Sequence, residues 1–161
     1  MTTIEETVRL LREQPDKGRS RPAVTARTDG SQAVLEAGPF TWRADLPAML
    51  GGTNEAPSPT AMLLGALAGC AAVFIKDTLA PQLGVRVEAV EATASAEADA
   101  RGLLGLDGVP PDLSDIGIEM RITSSDGDEA IERLLGAWRE RCPVYLALTK
   151  PMPVSVTRAS S

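Results

Sequence analysis

The sequence predicts one mixed helix and strand domain in which antiparallel strands surround a single buried helix. Short β-favouring runs separated by turn residues fill residues 23–47. A long stretch that follows Ser58 is apolar on every side, which is typical of a helix buried at the centre of a fold. Two longer alternating runs and an amphipathic stretch come next. With 161 residues, the chain is long enough for one well-formed core and short for two.

The N-terminal part is predicted to form a short helix and then a three-stranded meander. Three apolar residues have helical spacing: Ile4, Val8 and Leu11. We therefore assign residues 1–21 to a first helix and a connector, and residues 22–161 to a single domain. Turn signals at Gly30 and Gly38 divide the first part of that domain into three antiparallel strands.

The apolar helix is predicted to begin at Ser58, which can cap the free amides, with Pro59 in the first helical position. We expect it to run to about Ala80 and to stop at Pro81. Small residues recur at a spacing of four and form a ridge that allows a close neighbour: Ala61, Gly65 and Gly69.

The second half of the chain is predicted to contain two long strands and two helices. Apolar positions change phase near Ala89, which predicts a bulged strand. Residues 101–114 form a flexible excursion before a second alternating strand, and the two strands are expected to pair as a hairpin. The alternating residues of that strand are Ile116, Ile118, Met120 and Ile122.

A capping-type pattern at Ser125 and Asp128 starts the next predicted helix. Its apolar stripe consists of Ala130, Leu134 and Trp138. Cys142 can occupy the N-cap of a further short helix, and residues 151–157 are interpreted as a last strand at a sheet edge.

Composition restricts the function. The net charge of -6 and the pI near 4.7 argue against a nucleic-acid partner, since phosphate binding needs clustered Lys and Arg. The longest uncharged apolar run, Ala61 to Ile75, has 15 residues, fewer than the roughly 20 needed to cross a bilayer. The N-terminus lacks the apolar core of a signal peptide, so we expect a cytoplasmic protein.

The absence of histidine removes histidine-dependent nucleophiles, histidine bases and the commonest metal ligand. Two cysteines alone cannot provide the four ligands of a structural zinc site, so we expect neither a metal nor a bound cofactor. The remaining chemistry belongs to thiols, carboxylates, arginines and lysines.

The two cysteines are the leading candidates. A helix N-terminus and the neighbouring Arg139 and Arg141 would favour a thiolate at Cys142, although a buried spacer cysteine is equally compatible with the local sequence. Cys70 lies mid-helix, where an inert apolar role is common. Two thiols that meet in the fold of a cytosolic protein favour a catalytic or sensory role, but the sequence does not show that these two meet.

The run "ADLPAMLGGTNEAPSPTAMLLGALAGC", followed some seventy residues later by "CPV", resembles the OsmC/Ohr family of osmotically induced and organic-hydroperoxide-resistance proteins. The resemblance covers about residues 22–158. It implies an α+β OsmC-like fold, with antiparallel sheets around a central cysteine-bearing helix, and an intertwined homodimer. The small-residue ridge fits the close contact of two such helices.

The resemblance also implies a mechanism. Cys70 would be the peroxidatic thiol and Cys142 the resolving one, which reverses the ranking that the local sequence suggests. An external dithiol would then reduce the resulting disulfide. The family's activating cation is an arginine from the early strands, for which Arg43 is the first candidate and Arg27 the second.

The sequence departs from the family at the carboxylate that holds this arginine. The usual acidic position corresponds to Thr60 and Ala61 here, so Glu55 or Asp45 would have to take its place. Three hypotheses therefore remain. The chain is a thiol peroxidase for organic hydroperoxides, a non-catalytic dimer that binds an apolar small molecule, or a thiol redox sensor without turnover.

Overall fold

The structure is a computed structural model that describes residues 2–150 and 152–159. Its helices are α1 (Ile4–Glu13), α2 (Pro59–Phe74), α3 (Ala80–Leu83), α4 (Ala100–Leu103), α5 (Asp128–Arg141) and α6 (Pro143–Thr149). Its strands are β1 (Thr25–Asp29), β2 (Gln32–Ala37), β3 (Phe40–Ala44), β4 (Val87–Glu97) and β5 (Ser114–Ser124). The fold is of the mixed α+β kind, as the sequence predicts.

The chain divides into two compact units. The first comprises the residues up to Ala68 together with Ala92–Glu119, and the second comprises Gly69–Glu91 together with the residues from Met120 onward. The meander and the loop after it belong to the first unit, whereas both cysteines belong to the second.

The three-stranded meander is confirmed. Strands β1, β2 and β3 pair in that order, and both pairs are antiparallel. The turns contain Gly30 and Gly38, whose φ angles of 63° and 55° lie in the left-handed region that glycine adopts at little cost. In this register Asp29 lies opposite Gln32, and Arg43 lies opposite Val34.

The predicted start of the long apolar helix is confirmed, but the predicted end is wrong. The Ser58 hydroxyl accepts a hydrogen bond from the Ala61 amide at 3.1 Å, as an N-cap does. The helix does not stop at Pro81. A π-helical turn over Ile75–Leu79 widens the helix, after which α3 continues to Leu83 and ends at the left-handed Gly84. This wider turn precedes the proline, whose ring clashes with the carbonyl four residues earlier in a regular helix.

Only one face of this helical segment is buried within a single chain. The buried residues are Leu67, Ala71, Ile75 and Leu79, spaced four apart, together with Ala80. On other faces Gly65 and Gly69 are exposed, with open space around their α-carbons, and Val73 is 60% exposed. The segment Pro59–Leu83 is long and apolar enough to span a membrane by composition alone, a property that core helices of soluble proteins share.

The two long strands form a separate two-stranded sheet. Exposure in β4 changes phase between Val87 and Val90, where the sequence predicts it. In the second half of β5, Ile118, Met120 and Ile122 are partly buried and alternate with exposed residues, as predicted. The excursion between the strands contains the short helix α4.

Two predictions near the C-terminus are wrong. Gly127, not Ser125, is the N-cap of α5, and no side chain caps this end. Residues 152–159 form no strand, and their valines are exposed, so these residues lack the paired neighbour that an edge strand requires. The remainder of that predicted strand, Pro151, lies outside the described residues. The apolar stripe of α5 is confirmed, because Leu134 and Trp138 are buried.

Asp45 organises the loop between β3 and α2. Its side chain is 3% exposed, and its two oxygens accept hydrogen bonds from three backbone amides of the loop and from the Thr53 hydroxyl. These amides belong to Leu46, Thr53 and Glu55. The hydrogen bonds favour the ionised form and hold the pKa of the Asp45 carboxyl well below its ordinary value, the bond from Thr53 contributing most.

We expect Asp45→Asn to lower the thermal stability at neutral pH, because one carboxylate oxygen is replaced by an amide group that cannot accept these bonds. A lowered folded-state pKa contributes stability that is present above the unfolded pKa of about 4 and is lost as pH falls through the folded value. The difference in melting temperature between the two proteins should therefore shrink below about pH 4. A difference that is constant from pH 7 to pH 2 would contradict this account.

Candidate functional site

The structure brings the two thiols together within the second unit. The Sγ atoms of Cys70 and Cys142 lie 3.1 Å apart, and the Cys142 thiol donates a hydrogen bond to the Cys70 sulfur. Both cysteines are free thiols. A disulfide has a sulfur separation of about 2.05 Å, so oxidation of the pair, with loss of two protons and two electrons, would require the sulfurs to approach by roughly 1 Å.

Each thiol is positioned by a helix. Cys70 lies in the fourth turn of α2, and Cys142 is the N-cap of α6, with Pro143 in the first helical position as the sequence predicts. The Cys142 sulfur accepts a hydrogen bond from the Tyr145 amide at 3.5 Å. The Cys70 sulfur accepts one from the Val144 amide. The first turn of α6 therefore directs two amide donors at the sulfur pair.

The two thiols differ in accessibility. Cys142 has 0% of its surface exposed and lies among the most deeply buried side chains. Cys70 is only partly buried. The indole ring of Trp138 packs against the Tyr145 ring, with centroids 4.9 Å apart, and fixes α5 against α6 on either side of Cys142. A molecule from solvent therefore reaches the Cys70 sulfur more readily.

Burial opposes ionisation of Cys70. Desolvation is the largest cause that raises the pKa of its thiol to about 11, and the neighbouring Cys142 sulfur adds to it. The hydrogen bond from the Val144 amide acts in the opposite direction. A thiol with so high a pKa is a weak nucleophile at neutral pH.

Arg43, Glu55 and Asp45 all lie in the first unit. The Arg43 guanidinium donates to the Asp29 carboxylate at 2.8 Å and to the Gln32 side-chain oxygen at 3.0 Å. Glu55 does not hold Arg43 directly in this structure. Its carboxylate accepts from the Gln32 amide nitrogen at 3.3 Å. The catalytic roles assigned to Arg43 and Glu55 remain predictions.

Arg27, the second candidate, forms an ion pair with Glu36 across strands β1 and β2. The atoms are 2.8 Å apart, and both side chains are substantially exposed. This pairing raises the pKa of the arginine and lowers the pKa of the glutamate. Such a surface pair contributes little to stability.

Sequence reasoning did not identify Asp29 or Gln32. Both flank the turn at Gly30, where a polar pair is usual and attracts no attention. The sequence did contain a signal. In the antiparallel meander, the turn between β1 and β2 lies at the same end of the sheet as Arg43, near the end of β3. In the described residues, no cluster of three or more acidic or sulfur side chains is arranged to hold a metal ion.

The fold and the sulfur pair define an α+β protein with antiparallel sheets and two free thiols in contact. Residues 52–157 match the sequence profile of the OsmC-like proteins. The chain therefore belongs to the OsmC-like family. No curated protein matches the chain in sequence.

Solved structures share this fold. An OsmC-like protein from Mycoplasma pneumoniae superposes with a TM-score of 0.67 at 20% identity, covering 81% of this chain and 88% of that one. An organic hydroperoxide resistance protein OsmC from Legionella pneumophila has a TM-score of 0.59 at 21% identity, with 80% and 89% of the chains covered. The OhrB protein of Bacillus subtilis has a TM-score of 0.51 at 20% identity, with 80% and 90% covered.

Limited alkylation of the folded, reduced protein should modify Cys70 before Cys142, because only Cys70 has exposed surface. The rate at Cys70 should rise with pH into the alkaline range, in accordance with its raised pKa. Iodoacetamide labelling followed by peptide mass spectrometry measures both. In denaturant the preference should disappear. Faster modification of Cys142 in the folded protein would show that the burial described here is incorrect.

Proposed function

We propose that this chain is a thiol-dependent peroxidase that reduces organic hydroperoxides. The observation that carries the proposal is the 3.1 Å contact between a partly exposed and a fully buried thiol. A sulfenic acid formed at the first sulfur would have the second within reach, so it could be resolved before it is oxidised further.

The reaction has three steps. The Cys70 thiolate attacks the terminal oxygen of the hydroperoxide O–O bond, so that one alcohol is released, with uptake of a proton, and a cysteine sulfenic acid forms. The Cys142 thiol then displaces water from that sulfenic acid and forms a Cys70–Cys142 disulfide. An external dithiol reduces this disulfide and is itself oxidised. In sum, hydroperoxide and dithiol give alcohol, water and an oxidised dithiol.

The assignment of the two roles follows accessibility. The attacking sulfur must meet a substrate from solvent, which suits the partly exposed Cys70. The resolving sulfur needs only to meet the first, which suits the buried Cys142 at 3.1 Å. The names of the Legionella and Bacillus structures, both organic hydroperoxide resistance proteins, agree with this substrate class, although at about 20% identity they bear on the fold alone.

A pKa of about 11 would leave only about one Cys70 in ten thousand ionised at pH 7. Turnover therefore requires a cation that favours the thiolate. We propose Arg43 for this role, with Glu55 supporting it, as the family resemblance implies. No metal or resident cofactor enters the proposed cycle.

The raised pKa of Cys70 also favours the two competing hypotheses. A non-catalytic dimer that binds an apolar molecule needs no thiolate. A redox sensor needs only one slow oxidation for each event. Turnover separates the peroxidase from the other two hypotheses, because only the peroxidase consumes many equivalents of peroxide.

We further propose that the active form is a homodimer. Gly65, Gly69 and Val73 leave an apolar and partly side-chain-free surface exposed on α2. A second copy of the same helix fits this surface, because small residues allow two backbones to approach closely. The exposed valines of residues 152–159 are a further apolar surface that a second copy could cover.

The wild type should consume cumene hydroperoxide in many turnovers when a dithiol reductant is supplied. Cys70→Ser should lower that rate by at least about a thousandfold, because the nucleophile is lost. After one equivalent of peroxide, intact mass spectrometry of the wild type should show the loss of two protons, which Cys142→Ser prevents. A Cys70→Ser protein as active as the wild type would exclude the mechanism.

Arg43→Gln should lower kcat/KM for the hydroperoxide by about 100-fold, since a positioned charge is removed from the reacting sulfur. Arg27→Gln breaks a matched ion pair on the same sheet and should leave kcat/KM within about twofold of the wild type. The reverse result would transfer the activating role to Arg27. Equal activity of both variants and the wild type would remove arginine activation from the proposal.

Val73→Glu should convert the dimer to a monomer, because a charge would be buried where two helices meet. Light scattering coupled to size exclusion measures this mass. Val24→Glu, at a similarly exposed valine away from α2, is the control and should remain dimeric. A wild type that is monomeric at micromolar concentration would contradict the proposal.

A further inference from the structure

We propose that Gln32 is a positioning residue, whose side-chain amide fixes the Arg43 guanidinium and couples it to the loop carboxylates Asp45 and Glu55. This inference rests on the proposed function, in which Arg43 favours the Cys70 thiolate. The neutral amide of Gln32 takes the place of a direct contact between Arg43 and the loop carboxylates Asp45 and Glu55.

The two ends of the amide contact groups of opposite charge. Its oxygen accepts from the Arg43 Nη1 atom at 3.0 Å. Its nitrogen donates to the Glu55 carboxylate at 3.3 Å and lies 3.4 Å from the Asp45 carboxylate. One half-buried side chain therefore touches the arginine and both acidic residues.

Only one orientation of the amide satisfies these contacts. A guanidinium has donors and no acceptor, whereas an ionised carboxylate has acceptors and no donor. The amide oxygen must therefore face Arg43, and the amide nitrogen must face Asp45 and Glu55. A hydrocarbon side chain of the same length would satisfy neither end.

The strand register explains why Gln32 occupies this place. It is the first residue of β2 and lies opposite Asp29, the last residue of β1. Asp29 accepts from the Arg43 Nη2 atom at 2.8 Å, so the two terminal nitrogens of the guanidinium are bound by the two residues that flank the turn. Two acceptors on different strands fix the orientation of the guanidinium plane as well as the position of its charge.

Hydrogen bonds hold the loop carboxylate Asp45, which Gln32 contacts, in place. Asp45 is buried and is bound by backbone amides of its own loop. Gln32 therefore connects the loop that contains Asp45 to Arg43, whose side chain is about half exposed. Because the amide is neutral, it does so without adding a second negative charge beside Arg43.

The test measures the rate of Cys70 alkylation by iodoacetamide, relative to the wild type, from pH 5 to pH 10. Gln32→Leu should lower this rate by about tenfold or more at pH 7, because a misplaced cation raises the apparent pKa of the thiol. Its rate should return to the wild-type value only at alkaline pH, where both proteins are ionised.

Gln32→Glu provides a signature that a merely structural role would not produce. The introduced carboxyl still accepts from Arg43, which favours its ionised form, but the two neighbouring carboxylates, Asp45 and Glu55, favour its protonated form. When protonated it donates again, as the amide does. Its relative rate should therefore recover as pH falls toward 5, on the side where the leucine variant stays slow.

Glu91→Gln, which breaks the exposed Arg121–Glu91 pair, is the matched control and should follow the wild type at every pH. Thermal unfolding of each variant shows whether it is folded, and if Gln32→Leu is not, Gln32→Glu carries the test. Wild-type rates in a folded leucine variant, or no acid recovery in the glutamate variant, would overturn the inference. Cumene hydroperoxide turnover is measured separately. A wild type without turnover, together with the expected alkylation profiles, would refute the peroxidase and leave the role of Gln32 intact.

Discussion

The contact between two sulfur atoms, made through the first turn of α6, is the constraint on which the candidate site depends. Cys142 ends one helix and caps the next, so its sulfur is fixed by backbone geometry at both sides. The Trp138 and Tyr145 rings, on the two helices that Cys142 joins, pack against each other, and Cys142 has no exposed surface. Cys70 meets it from α2, next to the buried Ala71.

The charged candidates Arg43, Glu55 and Asp45 lie in the first unit, whereas the two thiols lie in the second. Burial of Cys70 and its contact with the Cys142 sulfur raise the pKa of its thiol, whereas the backbone amide of Val144 lowers it. Asp45, on the loop after the meander, stays ionised because the Thr53 hydroxyl and backbone amides donate to it. In the proposed function, Arg43 would oppose the raised pKa of Cys70 by electrostatics.

Much of the fold was predictable because the relevant signals are local. Turn glycines defined the meander, Ser58 defined a helix start, and the Leu134 and Trp138 stripe defined a buried helix face. The predictions that were wrong depended on geometry that no local pattern encodes. A π turn allowed the helix to pass Pro81, and a glycine replaced Ser125 as a cap. The Arg43 partners, Asp29 and Gln32, were not predicted because they lie on two other strands. Only the register of the sheet brings them to Arg43.

In the proposed cycle, the complete burial of Cys142 determines which sulfur of the disulfide an external thiol attacks. An external thiol that approaches an oxidised pair can reach only the sulfur of Cys70, so the mixed disulfide must form there and Cys142 must be the leaving group. The amide of Tyr145 already points at that departing sulfur and would stabilise its negative charge. Reduction of the disulfide would therefore take place at the same exposed side of the Cys70 sulfur as oxidation of the thiol. A bulky reductant would compete with the hydroperoxide for access to that sulfur.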